Sequence, residues 1–107
     1  MIFNFMRTIL FFDLPVVTEK DKRVYSKFRK HLIKNGYMML QYSVYSKIFN
    51  NRDAAVKHIS KLKQNVPERG AIRIMLVTEK QYAKMEILIG GRSKLEEQIT
   101  PDPLLIL

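Results

Sequence analysis

The chain has 107 residues, 47% of them hydrophobic and none of them cysteine, with a formal net charge of +9. That length allows one domain with its own core, and the hydrophobic fraction sets it apart from disordered chains. Without cysteine there are no disulfides, thiolate metal sites or cysteine nucleophiles, and two histidines, His31 and His58, are too few for a histidine-built metal cluster. The charge points to a polyanion, most commonly nucleic acid or an anionic membrane surface, or else to a lysine-rich solvated exterior. No run reaches the roughly 18 apolar residues of a membrane span. Residues 1–12 are apolar, but Arg7 interrupts them, nothing basic precedes them and no small-residue cleavage site follows, so the expectation is a cytoplasmic protein.

Residues 7–15, Arg-Thr-Ile-Leu-Phe-Phe-Asp-Leu-Pro, predict a strand buried in the middle of a sheet. The apolar run from Ile9 to Phe12 suits a pleated surface covered on both sides, and Pro15 ends the pairing because it has no backbone N–H. Asp13 at the strand tip needs a cation, a donor or water, since an unpaired buried charge costs several kcal/mol. Two readings are open for it: an Asx-type turn residue bonding nearby N–H groups, or a metal-binding carboxylate.

Thr18 then predicts a helix N-cap, with Asp21 at capping-box spacing, and Gly36 supplies the helix stop. Between them Val24, Tyr25, Phe28 and Leu32 make an apolar stripe. Arg23, Lys27, Lys30 and Lys34 fall within about 60° of one another at 100° per residue, forming one basic row. Like charges at this spacing weaken a helix by a few tenths of a kcal/mol each, so the row is either a solvated face or one that meets a counter-anion such as a phosphate backbone.

Residues 37–49 alternate with period two and predict strand, broken near residues 41–43 because thirteen residues are long for one strand. Asn50 and Asn51 offer N-cap chemistry for a second helix reaching about Asn65, with Ala55, Ile59, Leu62 and Val66 as its stripe. Residues 71–77 predict the next strand, Thr78 with Gln81 a second capping box, residues 79–84 a short helix, and residues 85–89 a further strand stopping at Gly90 and Gly91. Residues 92–103 are polar, and residues 104–107 are a wholly aliphatic tail expected to add a strand, by preference to a second copy. The expectation is therefore α+β, a ferredoxin-like βαββαβ domain over residues 1–91 with additional C-terminal strands. Residues 92–107 would be a linker and tail strand pairing across a homodimer.

Several of these stretches are familiar together: residues 7–15, Lys27-Phe28-Arg29-Lys30, Gly36-Tyr37-Met38 leading to Gln41-Tyr42-Ser43-Val44-Tyr45-Ser46-Lys47, and Val77-Thr78-Glu79-Lys80-Gln81-Tyr82. Over residues 6–89 the chain resembles CRISPR-associated protein 2, in particular the branch beside type II systems. The resemblance implies a homodimer that bridges two dimers of the integrase CRISPR-associated protein 1 and holds a double-stranded DNA prespacer. It also implies a second activity, magnesium-dependent cleavage of RNA or double-stranded DNA, with the ion held by the first-strand aspartate, whose position Asp13 occupies. Magnesium commonly takes one or two carboxylates plus phosphate oxygens, so one Asp13 per chain suggests a site completed by a second copy. Glu79, Glu86 and Asp53 have no partner at useful spacing. For duplex contacts Arg23, Lys27, Lys30 and Lys34 lead, with Arg7 and Arg73 behind them. A single-strand RNA binder of the RRM type shares the topology, but residues 71–77 lack its stacking aromatics; Phe11, Phe12, Tyr42 and Tyr45 read as core or dimer contacts.

Overall fold

The computed structural model describes residues 5–91. Four strands, β1 (Met6–Asp13), β2 (Met38–Gln41), β3 (Val44–Phe49) and β4 (Ala71–Thr78), form one sheet in the order β2-β3-β1-β4, and every pairing is antiparallel. Helices α1 (Glu19–Lys34) and α2 (Arg52–Leu62) follow β1 and β3, and a short α3 (Glu79–Ala83) follows β4. The order of elements and strands is the ferredoxin-like βαββαβ arrangement expected from the sequence.

Alternation along β1 sorts the two faces of the sheet. Leu10 and Phe12 point into the core with Tyr45 of β3, Phe28 and Leu32 of α1, and Leu62 of α2, while Ile72 and Ile74 pack against them. Phe12 is the hub, meeting Phe28 edge-on at 5.4 Å and Tyr45 in a stack at 5.6 Å. Burying an aliphatic or aromatic side chain of this kind contributes roughly 1.5–3 kcal/mol. The other face carries Arg7, Ile9, Phe11 and Asp13, set beside Val77, Met75, Arg73 and Ala71 of β4.

The helix termini form as their sequences dictate. Thr18 Oγ1 accepts from Asp21 N at 3.0 Å and the Asp21 carboxylate accepts from Thr18 N at 3.2 Å, a reciprocal capping box. Gly36, at φ +92°, takes the left-handed position after the Asn35 C-cap, and Lys47 Nζ donates to the Asn35 carbonyl, tying that corner to β3. Asn51 Oδ1 accepts from Ala54 N at 2.9 Å to start α2, which tightens into a 3-10 turn over Lys63–Asn65. Thr78 and Gln81 form the second capping box.

The long strand run breaks where its length required, at Tyr42 and Ser43, giving the β2–β3 hairpin. Residues 85–89, expected as a strand, are irregular instead. Met85 N donates to the Tyr82 carbonyl at the end of α3, and beyond it Leu88 and Ile89 are 91% and 94% exposed. Their composition is that of a strand, but a strand forms by pairing, and among the described residues this segment has no partner. The polar segment and aliphatic tail expected over residues 92–107 lie outside the described residues.

Candidate functional site

Asp13 is the last residue of β1, exposed, and opposite Ala71 in the register with β4. The turn that enters β4 passes very close to it. Gly70 sits at φ +108°, and a Cβ there would lie 2.8 Å from the Asp13 carbonyl and 2.6 Å from Leu14 Cδ2, so only glycine lets the two backbones approach this closely. The carboxylate accepting backbone N–H bonds in the β1–α1 connection is that of Asp21; the Thr18 backbone donor holds its pKa below the usual carboxylate range, with Arg69 adding a smaller pull in the same direction.

Among the described residues no group of three or more histidine, cysteine, aspartate or glutamate side chains comes together to hold a metal ion. Asp13 therefore fits magnesium as one ligand of a site and not as a complete one. The remaining positions would fall to water, phosphate oxygens or a second carboxylate from elsewhere.

The basic candidates divide between three environments. Arg23, Lys27, Lys30 and Lys34 are all exposed on α1, in the helical layer that packs on the Leu10–Phe12 face of the sheet. Arg73 is exposed on β4, opposite Phe11 and one pleat from the Asp13–Ala71 pair, so it lies on the same face of the sheet as Asp13. Arg7 is a correction to the sequence reading. It is wholly buried, its Nε and Nη2 both donate to the Glu79 carboxylate (2.8 Å for the second), and its guanidinium lies 3.8 Å over the Tyr82 ring. A phosphate cannot reach it there. Glu79, expected without a partner, is equally buried and is the counter-ion. Two charges buried together cost less than either alone, and this pair pins α3 to the Arg7 end of β1.

The aromatics also separate. Phe12 and Tyr45 are core, with Arg29 Nε donating to the Tyr45 hydroxyl at 3.0 Å, whereas Phe11 is 39% and Tyr42 76% exposed. His58, half-buried, contacts the Tyr37 hydroxyl through Nε2 at 2.9 Å, and that hydroxyl in turn accepts from Thr8 Oγ1 at 3.2 Å. Desolvation lowers the His58 pKa, with Lys47, His31 and Lys61 adding repulsion; burial raises that of Tyr37.

Residues 6–85 match the family described as "CRISPR associated protein Cas2". The chain belongs to the Cas2 family. A Treponema denticola protein named "CRISPR-associated endoribonuclease Cas2" is 52% identical over 105 residues, 95% of this chain and 100% of its own length. One of the same name from Acidovorax ebreus is 51% identical over 85 residues, 79% of this chain and 83% of its own. A solved structure described as "Crystal structure of cas2" superposes with a TM-score of 0.51 at 24% identity, covering 84% of this chain and 91% of that one, which is a likeness of fold. The association with CRISPR systems follows from the family. Among the described residues no helix is long and apolar enough to cross a membrane.

Proposed function

We propose that this Cas2-family chain acts in CRISPR adaptation as a homodimer that binds duplex DNA and bridges dimers of the integrase, positioning the prespacer before insertion. The observation that carries the reading is the exposed basic row of Arg23, Lys27, Lys30 and Lys34 on α1, set against a single acidic candidate, Asp13, with no metal-ligand cluster around it among the described residues. Such a row contacts phosphates, fixes the position of a duplex and carries no base preference.

The test is the salt dependence of duplex binding. Four phosphate contacts give a slope of log K against log salt of about −3.6, a loss of roughly 150-fold between about 50 and 200 mM salt. Replacing Lys27 and Lys30 with alanine lowers the slope by about 2, one unit per lost contact. A wild-type slope shallower than about −1 contradicts the reading.

A second reading is favoured by the exposure of Asp13 at the tip of β1 and by the name its relatives carry. In it the chain is a magnesium-dependent endoribonuclease, or acts on double-stranded DNA, with Asp13 from each of two copies converging on one ion. Bound there, magnesium would polarise a phosphoryl oxygen and supply an activated water; Asp13 holds the ion, and Arg73 on the same face steadies the phosphate. Asp13→Ala then abolishes metal-dependent cleavage while the dimer survives. Cleavage retained by that variant removes Asp13 from the chemistry.

A further inference from the structure

Tyr42 is the most exposed tyrosine whose ring packing the structure records, and one face of its ring is backed by a neighbour. Its ring stacks on Tyr25 of α1, with centroids 6.5 Å apart and planes 22° from parallel, and Tyr25 in turn packs on Phe12 at 5.7 Å. This spacing lies within the range of offset aromatic pairs. The Tyr25 hydroxyl beside it raises the Tyr42 pKa, with Arg29 pulling weakly the other way, so the phenol stays neutral. The backbone beside it is fixed too: Ser43 stands at φ +63°, a region sparsely used by residues other than glycine, and its carbonyl accepts from Phe12 N at 3.1 Å. Non-glycine residues held in this region concentrate at functional sites.

The outcome is an ordered aromatic step with one face backed by Tyr25 and most of its surface in solvent, 76% exposed. It lies at the end of the sheet where β1 terminates, since the Phe12–Ser43 bond joins the hairpin to the residue before Asp13. On α1, Tyr25 and Arg29 occupy the same side, four residues apart, turned well over 90° away from the row of Arg23, Lys27, Lys30 and Lys34. The step is thus a feature distinct from the row, with its own exposed cation, Arg29.

We propose that Tyr42, backed by Tyr25 and flanked by Arg29, is a stacking platform for an unpaired nucleobase, with Arg29 meeting the adjoining phosphate. Single-stranded nucleic acid is bound by this combination of aromatic face and cation, because every base has a π-face. A paired base inside a duplex cannot reach the ring, so the ligand class is a single strand or the frayed end of a duplex. The exposed Arg29 close to the ring supplies the charge that favours a phosphate-bearing occupant at this step. The proposal rests on the nucleic-acid reading above and extends it to unpaired ends.

The experiment uses a short oligonucleotide carrying 2-aminopurine, prepared single-stranded as DNA and as RNA, and paired in a duplex with the label internal. With the wild-type chain, the single strands lose fluorescence on binding as the base stacks. Tyr42→Ala removes that quenching and weakens single-strand binding at least about fivefold, while internal-label duplex affinity and the salt slope stay unchanged. Tyr42→Phe and Tyr42→Trp keep the quenching, and matched far-UV circular dichroism melts show that the exposed substitution leaves the fold intact. Single-strand quenching and affinity unchanged in Tyr42→Ala overturn the platform while leaving the duplex reading standing. A change of mass by light scattering in Tyr42→Ala overturns it in favour of an interface between copies. If wild-type chain binds neither single strands nor duplex, the platform and the duplex reading fall together.

Discussion

Replacing Glu79 with alanine leaves the Arg7 guanidinium buried without its carboxylate. Both side chains are essentially inaccessible, at 0% and 1% of their surface, and the Arg7 Nη1 has no hydrogen-bond partner among the described residues even with Glu79 present. Removing one member of a buried ion pair costs about 3–5 kcal/mol, because the remaining charge has lost its counter-ion while staying out of water. The Tyr82 ring, 3.8 Å from the guanidinium carbon, retains about 1–2 kcal/mol of that through its quadrupole. The expected net loss is therefore about 1–4 kcal/mol, a sizeable share of the 5–15 kcal/mol typical of a whole domain. Urea unfolding followed by far-UV circular dichroism, at one fixed protein concentration, measures it. With slopes of about 1–3 kcal/mol per molar, the midpoint of Glu79→Ala drops by at least roughly 0.3 M. The double variant Arg7→Met with Glu79→Leu removes both charges and recovers most of the loss, since apolar replacements of buried pairs are often neutral or stabilising. If Glu79→Ala unfolds within about 0.5 kcal/mol of wild type, the range of ordinary surface substitutions, the pair is not buried in solution and the docking of α3 is misread.

Other expectations are smaller in scale. The His58 pKa lies below its ordinary value in the folded chain, so between the two values the unfolded chain binds more protons; the stabilising contribution is complete above the unfolded value of about 6.5 and declines as pH falls below it. Thermal melts from about pH 7.5 down to about 5 are expected to show a falling midpoint whose slope flattens in His58→Gln; an identical slope in that variant would assign the effect elsewhere. Gly70→Ala forces a Cβ against Leu14 and the Asp13 carbonyl at positive φ, and about 1–3 kcal/mol of destabilisation is expected by urea unfolding; a neutral result would refute the close approach. Thr18→Ala removes the hydroxyl half of the α1 capping box and is expected to cost about 1 kcal/mol in the same assay, with Thr18→Asp retaining most of the stability.

The elements legible in the sequence were those whose cause is local. Both capping boxes, the Asn51 cap, the Gly36 stop and the break at Tyr42–Ser43 each depend on residues a few positions apart, and each forms. The ferredoxin-like order followed from counting such elements. What failed depended on distant partners. Arg7 and Glu79 are 72 residues apart, and nothing in a strand-edge arginine or a helix-start glutamate says that the two meet under Tyr82. A strand signal that could have been used is the placement of Arg7 within a run buried on both faces, which already required a counter-charge. Residues 85–89 had strand composition without a neighbour to pair with, and composition cannot supply one. Phe11, Phe12, Tyr42 and Tyr45 read together as core or dimer contacts because all lie in strand-like stretches; Phe12 and Tyr45 are core, and the exposed pair includes Tyr42. Its position in the hairpin turn, two residues from the alternation that buries Tyr45, is what brings it to the surface.

The most direct test of the central claim is size-exclusion chromatography with light scattering on the chain alone, then with the integrase from the same locus and a short DNA duplex. The adaptation reading predicts a dimer alone and one larger species containing all three components, lost when Arg23, Lys27, Lys30 and Lys34 are replaced together by glutamate. A chain whose mass is unchanged by integrase and duplex would contradict it.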